Sequence, residues 1–150
     1  RYALFTRWNT CRHSSKSLGS SKQDECRSSF WIIDKDISED LKNALVAKSN
    51  IFVMPSTIYK SSVEGFGIAY TEAAQLSIPS IGGKDGGASD AIDHEKTGLI
   101  CDGGNLDDIY SSINSMLENK KYFEYGKNAK EFVSKFYWPN IIEEYKKILS

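Results

Sequence analysis

Four consecutive apolar residues, Ile51-Phe52-Val53-Met54, are followed at once by Pro55. A strand with one face in water alternates apolar and polar residues, whereas an unbroken apolar run is typical of a strand that is covered on both faces. Similar short runs occupy residues 30–33, 78–81 and 99–101, and a helical pattern separates the runs at 51–54 and 78–81. The sequence therefore predicts an α/β fold built on a parallel sheet.

The segments around and after these runs predict helices. Ser38 and Asn105 are side chains suited to capping helix N-termini, and Pro139 fits the first turn of a last helix. Helices are expected at residues 39–45, 68–76, 106–117, 122–136 and 139–149. The apolar positions of the first helix are Leu41, Ala44 and Leu45. The residues expected inward in the last helix are Ile141, Ile142, Tyr145, Ile148 and Leu149. Strand–helix alternation followed by terminal helices indicates a partial, Rossmann-like, doubly wound sheet.

The composition divides the chain in two. Residues 1–29 carry all four arginines and a charge of +4, from six basic and two acidic residues, whereas residues 30–150 carry −5. The first segment shows no clear periodicity, so we expect it to be loosely structured or foreign to the domain. The domain itself is assigned to residues 30–150. A basic arm for an anionic partner is the functional alternative for the first segment.

The net charge of −1 over 150 residues argues against a nucleic-acid partner. Three cysteines without metal-ligand spacing argue against a zinc site or a disulfide scaffold. No apolar run is long enough to cross a membrane, and no signal peptide is evident. Because the chain begins with Arg1, we expect it to be a fragment of a longer protein.

A glycine-containing loop opens the helix expected at 68–76. Gly65 and Gly67 permit close approach of a ligand to the backbone, and a helix N-terminus that begins at Ile68 offers unpaired N–H groups to a phosphate. Glu64 and Glu72 flank this point, roughly 12 Å apart if the helix were regular throughout. Carboxylates on either side of an anion can accept hydrogen bonds from hydroxyls, an arrangement that matches ribose, pyrophosphate and hexose. An ordinary solvated helix is the alternative.

A second glycine cluster, residues 82–87, follows the next predicted strand. Ligands of open α/β sheets bind beyond the carboxyl ends of the strands. Gly86 and Gly87 are therefore expected to meet the same ligand as the loop at residues 65–67. A glycosidase that uses Glu64 and Glu72 is excluded, because glycoside hydrolysis requires carboxylates about 5–9.5 Å apart.

These motifs resemble the carboxyl-terminal part of a retaining family-4 glycosyltransferase of the GT-B fold. Asp90 stands where a glutamate is more usual in that family. The matching segments, in order, are residues 51–56, 64–73, 78–79, 86–92, 96–100 and 136–138 with Tyr145.

The resemblance implies roles for individual residues. Glu64 would be the catalytic glutamate that contacts hydroxyls of the donor sugar, and Glu72 would hold the ribose hydroxyls. The backbone of Gly65, Phe66, Gly67 and Ile68, with Gly86 and Gly87, would approach sugar and phosphate. The resemblance further implies a UDP- or GDP-sugar donor, no metal and no cofactor. The acceptor would be a saccharide or lipid-linked, and the enzyme would be cytoplasmic or at the inner face of a membrane.

Two features depart from the family. No Gly-Arg…Lys-Gly segment, which clamps the phosphates, precedes Glu64, and the amino-terminal acceptor domain is missing. We therefore expect the isolated chain to be inactive. The alternative hypothesis is a non-catalytic Rossmann-like remnant that acts as a binding or interaction module.

Three further residues are assigned minor roles. His94 is interpreted as a surface histidine and Cys101 as a buried small hydrophobe, while Lys84 is solvated or reaches the diphosphate.

Overall fold

The computed structural model describes residues 3–8, 28–33, 38–58 and 65–149. The strands in these ranges are β1 (Ala3–Trp8), β2 (Ser28–Ile33), β3 (Ile51–Met54), β4 (Ser80–Gly83) and β5 (Gly98–Cys101). The helices are α1 (Glu39–Ala47), α2 (Ile68–Gln75), α3 (Ala88–Ala91), α4 (Leu106–Leu117), α5 (Lys121–Val133) and α6 (Trp138–Leu149). Short 3-10 turns, Glu118–Lys120 and Ser134–Phe136, follow α4 and α5.

The described strands form one sheet in the order β2-β1-β3-β4-β5. The last three are parallel, as predicted, with Val53 beside Ile81 and Ile81 beside Leu99. Because these strands are parallel, they end at the same edge of the sheet, which we call the carboxyl edge. The chain folds as the α/β protein that its apolar runs predict.

The antiparallel pairing of β1 with both β2 and β3 was not predicted. The sequence analysis expected residues 1–29 to be loosely structured, and this expectation is wrong for Ala3–Trp8, which lies in the sheet. Strand pairing depends on the backbone partners that the tertiary structure supplies, and a six-residue segment carries little of that information. Whether residues 1–29 are foreign to the domain stays a prediction.

Both faces of β3 are covered, which accounts for its lack of alternation. Phe52 and Met54 pack in one cluster with residues of α1, α2 and α3, whereas Ile51 and Val53 pack in another with residues of β4, β5, α4 and α5. All four side chains of β3 are at most 8% exposed. Burial of each stabilises the fold by about 1.5–3 kcal/mol. Helices thus lie on both sides of the sheet.

The helix caps agree with the sequence analysis. The Ser38 hydroxyl accepts a hydrogen bond from the Leu41 N–H at 3.3 Å, and the Asn105 side chain accepts from the N–H groups of Asp107 and Asp108. Each cap satisfies backbone donors that the first turn of a helix leaves unpaired. These two residues therefore set where α1 and α4 begin.

The inward face of the last helix was predicted wrongly, and α1 buries a residue that is not among its predicted apolar positions. In α1, Val46 is buried, whereas Leu41 is half exposed and Ala44 is exposed. In α6, Pro139 does lie in the first turn, but most of the apolar side chains expected inward are exposed. The exposed ones are Ile142, Tyr145, Ile148 and Leu149. Helical spacing identifies an apolar face, but it does not supply a surface to cover that face.

Candidate functional site at the carboxyl edge of the sheet

The loops that follow β3 and β4 meet beyond the carboxyl edge. A Cβ atom added to Gly87 would overlap the carbonyl oxygen of Gly65, so these two backbones touch. Only a residue without a side chain permits this approach. The structure thus brings together the two glycine clusters that the sequence analysis assigned to one ligand. We call the surface formed by residues 65–67 and 86–87 the glycine cradle.

Helix α2 begins inside the glycine cradle. Its N-cap is Gly67, which has a left-handed backbone with a φ of 76°. A Cβ there would lie 2.5 Å from the Tyr70 ring, so glycine is required on both conformational and steric grounds. Among the described residues no side chain caps this helix, and no acidic residue lies in its first turn. Its first N–H groups and the positive end of its dipole are therefore suited to an anion.

Tyr70 anchors the start of α2 to β3. Its hydroxyl donates a hydrogen bond to the Met54 carbonyl at 2.6 Å, and its ring is 1% exposed. The ring also packs edge-on against Phe52, with centroids 6.0 Å apart. Sequence reasoning assigned Tyr70 no role, because an aromatic residue in a helix is ordinarily only a core residue.

Glu72 lies four residues beyond the first residue of α2, about 6 Å along its axis. Its side chain is 40% exposed, and its Oε2 atom accepts a hydrogen bond from Lys42 Nζ at 3.0 Å. Lys42 belongs to α1 and also pairs with Glu39 at 2.7 Å. This partner is not predictable from the sequence, because nothing local connects residues 30 positions apart.

Glu64, the predicted catalytic residue, lies outside the described residues. Phe66 and Ile68 are described, and both side chains are exposed. The Phe66 ring lies edge-on to Phe136, with centroids 4.9 Å apart. A pocket of about 510 Å³ adjoins these two rings. The backbone of Phe66 thus belongs to the glycine cradle, while its ring forms part of the wall of this neighbouring pocket.

Lys84 is exposed, as the solvated interpretation expects, but its ammonium group is paired. Its Nζ atom contacts Asp102 Oδ2 at 2.7 Å, and its backbone N–H donates to the Cys101 carbonyl. The hydrogen bond between the Lys84 and Asp102 side chains raises the pKa of Lys84 and lowers the pKa of Asp102. The other carboxylate oxygen of Asp102 accepts a hydrogen bond from the Gly104 N–H. The pair links the loops after β4 and β5. Asp102 directly follows a predicted strand, and this position was an overlooked sequence signal that its side chain lies at the carboxyl edge.

His94 and Cys101 have structural roles. The Ile100 N–H donates to His94 Nδ1 at 2.9 Å, which holds the imidazole beside β5. Cys101 is 3% exposed, and burial raises the pKa of its thiol to about 11, with smaller contributions from Asp108 and Asp102. A thiol with that pKa is not a nucleophile at neutral pH. The interpretation of Cys101 as a buried small hydrophobe is confirmed.

Two kinds of feature are absent from the described ranges. No cluster of three or more histidine, cysteine, aspartate or glutamate side chains in them is arranged to hold a metal ion. None of their helices combines the length and the apolar character that crossing a membrane requires.

Many α/β proteins that bind nucleotides have a glycine-lined helix N-terminus at the carboxyl edge of the sheet. Residues 27–132 match the family of glycosyl transferases group 1, and the chain belongs to this family.

The chain is similar to named relatives over part of their length. It is 32% identical over 91 residues to a GDP-mannose-dependent alpha-(1-6)-phosphatidylinositol monomannoside mannosyltransferase of Mycobacterium tuberculosis. That alignment covers 59% of this chain and 24% of the relative. The chain therefore spans about a quarter of the length of this curated relative.

Solved structures show the same fold. Anabaena HepE in complex with UDP superposes with a TM-score of 0.60 at 23% identity, over 70% of this chain and 28% of that one. Sucrose-phosphate synthase from Thermosynechococcus elongatus gives a TM-score of 0.57 at 24% identity, over 69% and 25% of the two chains. These similarities agree with the GT-B type of α/β fold that the resemblance implied.

Proposed function

We propose that this chain is the donor-binding part of a glycosyltransferase that moves a sugar from a nucleotide-sugar to an acceptor hydroxyl, with retention of the anomeric configuration. The observation that carries the proposal is the glycine cradle, in which α2 begins about one helical turn before Glu72. The N-terminus of α2 suits a diphosphate and the Glu72 carboxylate suits ribose hydroxyls. Membership of the glycosyl transferases group 1 family supports the same reading.

Each part of the site has a role in the proposed reaction. The acceptor oxygen forms a bond to the anomeric carbon, and the bond from that carbon to the diphosphate oxygen breaks. Negative charge then grows on the leaving diphosphate, where the N–H groups and dipole of α2 stabilise it. The acceptor proton can pass to the departing phosphate oxygen, so the step balances without an added base. Glu64 would contact the hydroxyls of the transferred sugar.

The donor is a UDP- or GDP-sugar under this proposal. The mycobacterial relative is named as GDP-mannose-dependent, and HepE structures contain UDP or UDP-glucose. Neither a metal nor a cofactor has a part in the proposed step. The acceptor, a saccharide or a lipid-linked molecule, would bind to a domain outside this chain, in the cytoplasm or at the inner face of a membrane. The isolated chain would then bind donor weakly and transfer nothing. The alternative of a non-catalytic module is not favoured by the family match.

Binding of UDP and GDP to the 150-residue chain tests the proposal. Titration followed by ¹H–¹⁵N correlation spectra should show saturable shifts at the glycine cradle, and Glu72→Ala should weaken binding. Since hydrogen bonds to a charged group contribute about 1.5–3 kcal/mol each, the loss should be roughly tenfold or more. An unchanged affinity in Glu72→Ala would show that the ribose assignment is wrong. Sugar transfer by the isolated chain in a radiolabelled-donor assay would contradict the need for a second domain.

A further inference from the structure

Lys42 connects α1 to α2, the helix that begins in the glycine cradle. Its Nζ atom lies 2.7 Å from Glu39 Oε2 and 3.0 Å from Glu72 Oε2. Val46 of α1 and Tyr70 of α2 belong to one buried cluster, so the backbones that carry Lys42 and Glu72 are held in place by packing. The Lys42 and Glu72 side chains thus extend from backbone positions that core packing fixes relative to each other.

The contact leaves half of the Glu72 carboxylate for a ligand. An ammonium group only donates hydrogen bonds, whereas a carboxylate has two acceptor oxygens. Lys42 binds Oε2, and within the described ranges no donor contacts Oε1. A glutamate that is 40% exposed would otherwise sample several rotamers. With Oε2 held, Oε1 is directed and available to accept from a hydroxyl.

The contact also changes the charge beside the anion site. An unpaired carboxylate about 6 Å along α2 from its N-terminus would repel a diphosphate bound there. The Lys42 side chain is 29% exposed, and its hydrogen bonds to Glu39 and then to Glu72 raise its pKa. The ammonium therefore stays charged at neutral pH and offsets the charge of Glu72.

We propose that Lys42 is a positioning residue, which orients the Glu72 carboxylate toward the ribose hydroxyls of the donor and offsets its charge. This inference rests on the proposed function of Glu72 as the ribose ligand. Lys42 touches neither substrate nor reacting atoms in this role. Loss of Lys42 should therefore reduce the ribose discrimination that Glu72 provides, whereas the lost charge compensation should weaken ribonucleotides and dideoxynucleotides alike.

Ribose discrimination measures that effect directly. The 150-residue chain is titrated with UDP and GDP and with their 2′,3′-dideoxy counterparts, and the discrimination is the ratio of the two dissociation constants for each base. Lys42→Met should reduce this ratio by about two- to fivefold, the range that partly exposed ion pairs contribute. Lys42→Arg should restore most of the ratio. In a Glu72→Ala background, Lys42→Met should cause no further change, since the two residues act as one unit.

Two matched controls separate this role from general effects of charge. Lys48→Met removes a positive charge from the end of the same helix, and Asp40→Asn removes an exposed negative charge from its first turn. Both should leave ribose discrimination unchanged. Thermal unfolding of each variant checks that the fold persists.

The outcomes distinguish the two proposals. If Glu72→Ala abolishes ribose discrimination but Lys42→Met leaves it intact, the role of Lys42 is wrong and the proposed site stands. Tighter ribonucleotide binding by Lys42→Met would mean that lysine competes with ribose, which also overturns the inference. If the wild-type chain fails to bind either nucleotide or shows no discrimination, the proposed ribose site fails, and the inference fails with it.

Discussion

The contact between Gly87 and Gly65 permits a stringent test of the glycine cradle. Gly87 has a φ of −83° and a ψ of 11°, a conformation open to any residue. Gly87→Ala would therefore be expected to stabilise the chain by about 0.4–1 kcal/mol if only the unfolded state mattered. The structure predicts the opposite sign, because the added methyl group would overlap the Gly65 backbone carbonyl. A carbonyl of the main chain cannot rotate away as a side chain can, so the two loops must separate.

The magnitude follows from the cost of inserting a methyl group into a packed contact, about 1–3 kcal/mol. For a domain of this size each 1 kcal/mol lowers the melting temperature by about 2–4 °C. Gly87→Ala should therefore melt roughly 2–12 °C below the wild type and bind UDP or GDP more weakly. Urea and thermal unfolding followed by circular dichroism measure the first effect.

Gly65→Ala is the matched control for stability. A Cβ at Gly65 meets no atom within 4 Å, although its carbonyl is the group that Gly87 touches. This variant should unfold within a few degrees of the wild type. Equal stability of Gly87→Ala and Gly65→Ala would refute the close approach of the two loops, and with it the cradle.

Two further predictions test the surroundings of the site. Tyr70→Phe removes one of two hydrogen bonds to the Met54 carbonyl, which still accepts from the Ser56 N–H. The free energy of unfolding in urea titrations should fall by about 0.5–1.5 kcal/mol, whereas Tyr110→Phe, on an exposed ring, should not change it. The pKa of Asp102 is lowered in the folded state by its ion pair with Lys84. The pair therefore stabilises the fold at pH values above the unfolded-state pKa of 3.8, and this stabilisation is lost as the pH falls through the lower folded-state pKa. Asp102→Asn should accordingly lower stability slightly at pH 6 and have a smaller effect at pH 2.5, and a constant difference across that range would contradict the ion pair.

Local sequence determined several elements of this protein because their causes are local. The unbroken run 51–54 is a strand covered on both faces, and Ser38 and Asn105 cap the helices that follow them. Gly67 begins α2 because no other residue fits its backbone and the Tyr70 ring. Each of these features depends on the properties of a few neighbouring residues. The expectation that two glycine loops share one edge followed from the parallel order of the strands, and the contact of Gly87 with Gly65 confirms it.

Tertiary structure alone decided the features that depend on distant partners. Ala3–Trp8 is a strand because β2 and β3 supply its hydrogen bonds, which its own pattern does not indicate. Helix α6 has a regular apolar face that the described part of the fold leaves largely exposed, so periodicity gave the face but not its burial. Lys42 meets Glu72 across 30 residues only because α1 and α2 pack on one side of the sheet. A sequence pattern records local preference, whereas a contact between distant residues exists only once the chain has folded.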